Sequence, residues 1–117
     1  EFVSAGHVRM VPSTGAISFE DQFLERRGIT RRIEVTSFSF TSLPYLVVGT
    51  DRISTVHSLI ARQAQRHLPI EIHPLPFPWT RLDEVLQWHG HRSRDPGLVW
   101  LRDIFEQAAT AMASSMH

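Results

Sequence analysis

The fold is decided by Arg31-Arg32-Ile33-Glu34-Val35-Thr36-Ser37-Phe38-Ser39-Phe40-Thr41-Ser42-Leu43-Pro44-Tyr45-Leu46-Val47-Val48-Gly49. The first half alternates polar and apolar residues through Ile33 and Val35, which reads as a strand. Thr41 can cap a helix. Pro44 falls in its first turn, where a missing N–H costs little, and Gly49 ends it. The same punctuation recurs on both sides. Upstream, His7 to Val11 is strand-like and Ser13-Thr14-Gly15 is a turn. Ser18 then caps a helix, with Asp21 in the capping-box position. Phe19, Phe23 and Leu24 share the inner face of that helix, and Gly28 stops it. Downstream, Arg52 to Val56 is a third strand. Ser58 caps a helix through His67, with Ile60 and Ala64 facing inward, and Pro69 stops it.

The remainder is read in the same way. Ile70-Glu71-Ile72-His73 has period two and predicts a fourth strand. Pro74-Leu75-Pro76-Phe77-Pro78-Trp79 is a stiff extended connector between layers. Glu84 to His89 predicts a fifth strand. Asp95-Pro96 is a helix start, an Asp cap followed by Pro at the first helical position. Leu98, Leu101, Ile104, Phe105, Ala108 and Met112 then form an apolar stripe at helical spacing. Arg102 and Glu106 pair on the wet side, and Ala113 to His117 frays. Trp88 and Trp100 are expected to anchor the core. Strands alternating with helices predict an α/β fold: a mainly parallel sheet with helices on both faces. Such sheets bind ligands beyond the carboxyl ends of their strands. The binding loops are then Ser13–Ile17, Phe38–Thr41 and Val56–Leu59.

Composition narrows the function. The chain has 117 residues, one domain or a piece of one. Twelve basic residues balance twelve acidic ones. That removes the broad positive field nucleic-acid binding needs. All the basic residues are Arg, a coding bias expected of a GC-rich genome. Cysteine is absent, so disulfides and thiolate metal sites are excluded, and a reducing cytoplasm fits. No apolar stretch is long enough to span a membrane. No basic-then-apolar start marks a signal peptide. The whole reads as a cut fragment.

Little in the sequence carries chemistry. There is no phosphate loop, no nucleophile elbow and no His-Glu-x-x-His. His89-Gly90-His91 puts two imidazoles on one strand face, but spacing places no third ligand, so no metal is expected. Glu20-Asp21 and Asp83-Glu84 are adjacent carboxylates, which diverge on helix and strand alike. Arg26-Arg27 and Arg31-Arg32 read as a solvated face. No catalytic residue and no cofactor are expected. His57 stands out, at a strand-to-helix junction on the ligand side. There a neutral imidazole could bond a polar ligand, or simply cap and pack.

The run Thr36 to Asp51 resembles the LysR-type transcriptional regulators, in the branch holding the nodulation, naphthalene/salicylate and nitrotoluene regulators. Ile53-Ser54-Thr55-Val56, Leu75-Pro76-Phe77-Pro78, Gln87-Trp88-His89 and Asp95-Pro96-Gly97-Leu98-Val99-Trp100-Leu101-Arg102 continue the likeness. His7-Val8 and Ser13-Thr14-Gly15 open it. The resemblance implies an effector-binding fragment of periplasmic-binding-protein type. Residues 1–78 would be its second lobe. Residues 79–117 would be the return strand and C-terminal helix of the first lobe. It implies a small organic inducer between the lobes, a homo-oligomer (dimer or tetramer), and DNA contact only through an absent winged helix-turn-helix. By position, Ile17, Phe40, His57, Leu59 and Glu84 would line the pocket. Ile17 stands where salicylate-type regulators tend to carry His. His57 and Leu59 stand where the family often has Pro and Arg. These departures imply a larger, more apolar and uncharged aromatic effector. The helix Ser18–Arg27 and strand His7–Val11 are the expected dimer surface.

Two alternatives remain open. A solute-binding protein of transport shares the two-lobed architecture, but the expected lack of a signal peptide opposes it. A small α/β enzyme needs a nucleophile, a base and an orienting group, and the sequence assembles no such set.

Overall fold

The structure is a computed structural model that describes residues 1–79 and 81–115. It divides into two compact units, Glu1–Pro78 and Trp79–His117.

The first unit is built on strands β1 (Gly6–Met10), β2 (Arg32–Ser37) and β3 (Ile53–Ser54). Their order is β2-β1-β3 and both pairings are parallel, so the fold is α/β with a parallel sheet. Helix α1 (Phe19–Arg26) links β1 to β2. A 3-10 turn (Phe40–Ser42) and helix α2 (Leu43–Val47) link β2 to β3, and α3 (Ser58–Gln65) follows. Local chemistry sets these boundaries. Ser18 Oγ accepts the Asp21 N–H at 3.2 Å, which starts α1. Gly28, with φ of 67°, ends it in the left-handed region that favours glycine. The core is small. Val8 of β1, Leu24 of α1 and Leu43 of α2 are buried, together with Pro44 and His7.

β1 and β2 do not run in simple step. His7 faces Ile33 but Val8 faces Val35, so Glu34 is an extra residue, a bulge. Glu34 turns over Gly6 of the central strand, where a Cβ would collide with its carboxylate. It accepts hydrogen bonds from Arg52 Nε at 2.8 Å and pairs with Arg32 at 3.0 Å. The Arg52 bond, reinforced by both charges, holds the Glu34 carboxyl below its ordinary range. One carboxylate thus reaches from β2 across β1 to the residue before β3, and only glycine at position 6 leaves it room.

Several expectations are corrected here. Ser42, not Thr41, precedes α2, because a 3-10 turn comes first. Ser42 Oγ bonds Ser37 Oγ at 2.6 Å and the Ser39 carbonyl at 2.8 Å. β3 is two residues long, not five. His57, not Ser58, caps α3, which ends at Gln65. Ile70–His73 has the right alternation but forms no strand. Pro69 and Pro74 bracket it, and the Ile70 N–H turns back to Leu68 O at 2.9 Å rather than into a ladder. β1 is bonded on both edges and Gly6–Val8 are buried, so of the expected dimer strand His7–Val11 only Arg9, Met10 and Val11 keep exposed surface.

In the second unit, Glu84–His89 is not a strand, since no described neighbour there supplies a ladder. A 3-10 turn (Gly90–Arg92) leads to α4 (Pro96–Ser115). Asp95 Oδ1 accepts the Leu98 N–H at 3.1 Å, as the Asp-Pro start requires. That bond, then Arg92, holds the Asp95 carboxyl below its ordinary range. Trp88 and Trp100 are exposed rather than core anchors. Arg102 lies over the Trp88 ring at 4.1 Å instead of reaching Glu106, and Trp88 Nε1 donates to Ser93 Oγ at 3.2 Å. The helix continues through Ala113–Ser115, where fraying was expected, and residues 116–117 lie outside the described residues. Its stripe is uncovered: Leu101, Ile104, Phe105 and Met112 are all exposed.

Leu43→Ala, at a fully buried position, is expected to cost about 2–5 kcal/mol in urea unfolding. Tyr45→Ala, on the exposed side of the same helix, is expected to cost well under about 1 kcal/mol.

Candidate functional site at the carboxyl edge of the sheet

Parallel pairing fixes where the strands end. The segments after β1, β2 and β3 leave the same edge of the sheet, and each leads into a helical turn. Ile17, Phe40, His57 and Leu59 lie on those segments or the first turns after them. Ile17 is exposed, whereas Phe40, His57 and Leu59 are half-buried. The backbone therefore brings four of the five expected pocket residues to one edge. Glu84 belongs to the second unit, where it is exposed.

His57 has a definite geometry. Its Nδ1 accepts the Leu59 N–H at 3.1 Å, closing the first turn of α3. A nitrogen that accepts carries no proton, so the neutral ring bears its hydrogen on Nε2. The capping and ligand roles left open by the sequence are thus compatible. Nδ1 serves the helix, and Nε2–H is the ring's remaining donor.

The edge carries hydroxyls and no charge. No Asp, Glu, Lys or Arg occurs in residues 11–18, 37–50 or 53–61. Ser39 Oγ meets Thr41 Oγ1 at 2.8 Å, and Ser37 Oγ accepts the Ser39 N–H at 3.3 Å as well as meeting Ser42. Sequence reasoning passed over this cluster, although the hydroxyl-rich run Thr36-Ser37-Phe38-Ser39-Phe40-Thr41-Ser42 was its signal. Carboxylates begin only on the first turn of α1. Burial pushes the Glu20 carboxyl up, against its backbone and Ser18 hydrogen bonds. Asp21 is engaged by Arg31 and, at 3.6 Å, by Arg9. Such an edge can hold a neutral ligand through hydrogen bonds and apolar contact. It has no acid–base couple and no cationic grip for a carboxylate.

A groove of about 780 Å³ runs beside β3, between Ile53–Val56 and Ile70–Pro76. None of the five expected pocket residues lines it. Thr55, Val56 and Ser58 do, and they flank His57, so groove and edge adjoin. Among the described residues, no group of three or more His, Cys, Asp or Glu side chains is placed to hold a metal. His89 and His91 stack at 4.6 Å, and His89 Nδ1 accepts the His91 N–H at 3.3 Å, inside a 3-10 turn rather than on a strand face. No described helix is long and apolar enough to cross a membrane.

No family model matches the chain. It is similar to curated nodulation proteins along almost its entire length. It is 41% identical over 116 residues to Nodulation protein D 2 of Bradyrhizobium diazoefficiens, covering 97% of this chain and 35% of that protein. It is 36% identical over 115 residues to Nodulation protein D of Rhizobium leguminosarum bv. trifolii, covering 97% and 36%. It is 36% identical over 110 residues to Nodulation protein D 1 of Sinorhizobium fredii, covering 93% and 34%. The chain thus spans about a third of the length of the curated relatives it matches. The nodulation regulators are in the LysR-type branch that the sequence resembles.

His57→Ala removes the acceptor for the Leu59 N–H. It is expected to cost roughly 1 kcal/mol in chemical denaturation, and His57→Asn, which can accept the same N–H, is expected to recover most of that.

Proposed function

We propose that this chain is a ligand-sensing part of a LysR-type DNA-binding transcriptional regulator. The observation that carries the reading is the colinear similarity to nodulation D proteins over 97% of the chain. The neutral charge balance supports a sensing role, with DNA gripped elsewhere in the protein. Residues 1–78 are the second lobe of the effector domain, and residues 79–117 belong with the first. The division of the chain after Pro78 supports that assignment. The uncovered apolar stripe of α4 supports a packing role for this helix within a larger lobe. The regulator is a homo-oligomer that works in the cytoplasm.

The inducer is a small, uncharged aromatic molecule held between the lobes. Ile17, Phe40 and Leu59 supply apolar contact, and His57 donates from Nε2. The charge-free edge supports this class of ligand over a carboxylate such as salicylate. Binding switches the regulator by favouring one lobe arrangement over another.

The test is thermal unfolding of the complete gene product with a panel of neutral aromatics and with salicylate. A neutral binder at about a hundredfold excess over its Kd adds roughly 2.7 kcal/mol, seen as a Tm rise of roughly 5–10 °C. Saturable stabilisation by salicylate alone contradicts the neutral pocket. Stabilisation by none of them, together with DNA binding that ignores them all, contradicts the sensing role.

A further inference from the structure

His7 sits on the central strand β1 with no solvent exposure. Its Nε2–H donates to the Phe2 carbonyl at 2.7 Å. Its Nδ1 is buried and has no hydrogen-bond partner. Phe2 packs edge-on against the imidazole at 4.7 Å, and Phe77 packs edge-on against Phe2 at 5.2 Å. Phe77 also stacks with Phe23 of α1 at 6.3 Å, and the Arg27 guanidinium covers the Phe23 ring at 4.6 Å. A continuous line of rings therefore joins β1 to Phe77, in the proline segment where the first unit ends.

We propose that His7 is a proton-operated latch: as a neutral ring it holds Phe2 and Phe77, and with them the segment Pro74–Pro78, against β1 and α1, and on protonation it lets that segment go. A proton added at Nδ1 creates a buried N–H with no acceptor, and a cation beneath an aromatic cover. The surrounding charges do not relieve it. Arg31 and Arg32, from the start of β2, oppose a positive ring. Asp21 is engaged by Arg31 and Arg9, and Glu34, over neighbouring Gly6, by Arg32 and Arg52. Phe2 packs directly on the imidazole and Phe77 rests on Phe2, so these are the contacts that a charged, unpaired His7 strains first.

Burial holds the His7 pKa below its ordinary 6.5, with the Phe2 carbonyl pulling up and the two arginines pushing down. The sign follows. The neutral ring's contribution to stability is complete above pH 6.5. It is lost as pH falls through the lower folded value.

The test is NMR titration of the complete gene product from pH 7.5 to 5. His7 is expected to be the Nε2–H tautomer at neutral pH and to titrate below 6.5. The amide signals of Leu75, Phe77 and Trp79 are expected to move with the same midpoint. His7→Phe is expected to abolish that shared step. If it fails to fold, Phe77→Ala is expected to give the released Leu75 and Trp79 signals at every pH. The proposal is overturned if His7 titrates while Leu75, Phe77 and Trp79 stay silent. It is equally overturned if His7 remains neutral until the unit unfolds.

Discussion

The structure depends on the central strand β1 being paired on both edges, in parallel, by β2 and β3. A parallel neighbour cannot be reached by a tight turn, so each pairing forces a helical crossover. The crossovers bury Leu24 and Leu43 in the same core as Val8. Gly6–Val8 are buried at the centre of this pairing, where His7 is a sealed imidazole and Gly6 a crossing point for Glu34. A residue with a Cβ at position 6 would displace the carboxylate that ties Arg52 to β2.

The same constraint places the candidate site. Parallel strands end together, so segments far apart in sequence meet at one edge without any contact between them being needed to specify it. The chemistry there is consistent across all three segments: hydroxyls, apolar side chains, one imidazole with a defined donor, and no charge. On the first turn of α1, the Asp21 carboxylate is engaged by two arginines. The edge is therefore suited to a neutral polar-aromatic guest, and to discriminating by hydrogen-bond pattern rather than by charge. Phe38 and Tyr45 of the first unit are well exposed, as are Val85 and Trp100 of the second.

Elements closed by local chemistry were legible in the sequence. The Ser18 cap, the Gly28 and Gly49 stops and the Asp95-Pro96 start depend on neighbours within a few residues, and the structure has each of them. Strands that need distant partners were less legible. Ile70–His73 and Glu84–His89 have strand-like residues, but pattern alone cannot supply a ladder. His57 was recognised, yet its cap was assigned to Ser58, because imidazole caps are rarer than hydroxyl caps. The Glu34 bulge was invisible, since it depends on the empty space above a glycine in another strand. Trp88 and Trp100 were assigned to a core on size alone, whereas one stacks on Arg102 and both face solvent.

The central claim is that the carboxyl edge of the parallel sheet receives an uncharged inducer. It is tested most directly by mapping amide signals of the complete gene product during titration with a neutral aromatic compound that stabilises it. The account expects the changes to centre on residues 13–17, 38–41 and 56–59, with the His57 Nε2–H among the strongest. Changes centred on residues 70–76, with that edge unmoved, would contradict it.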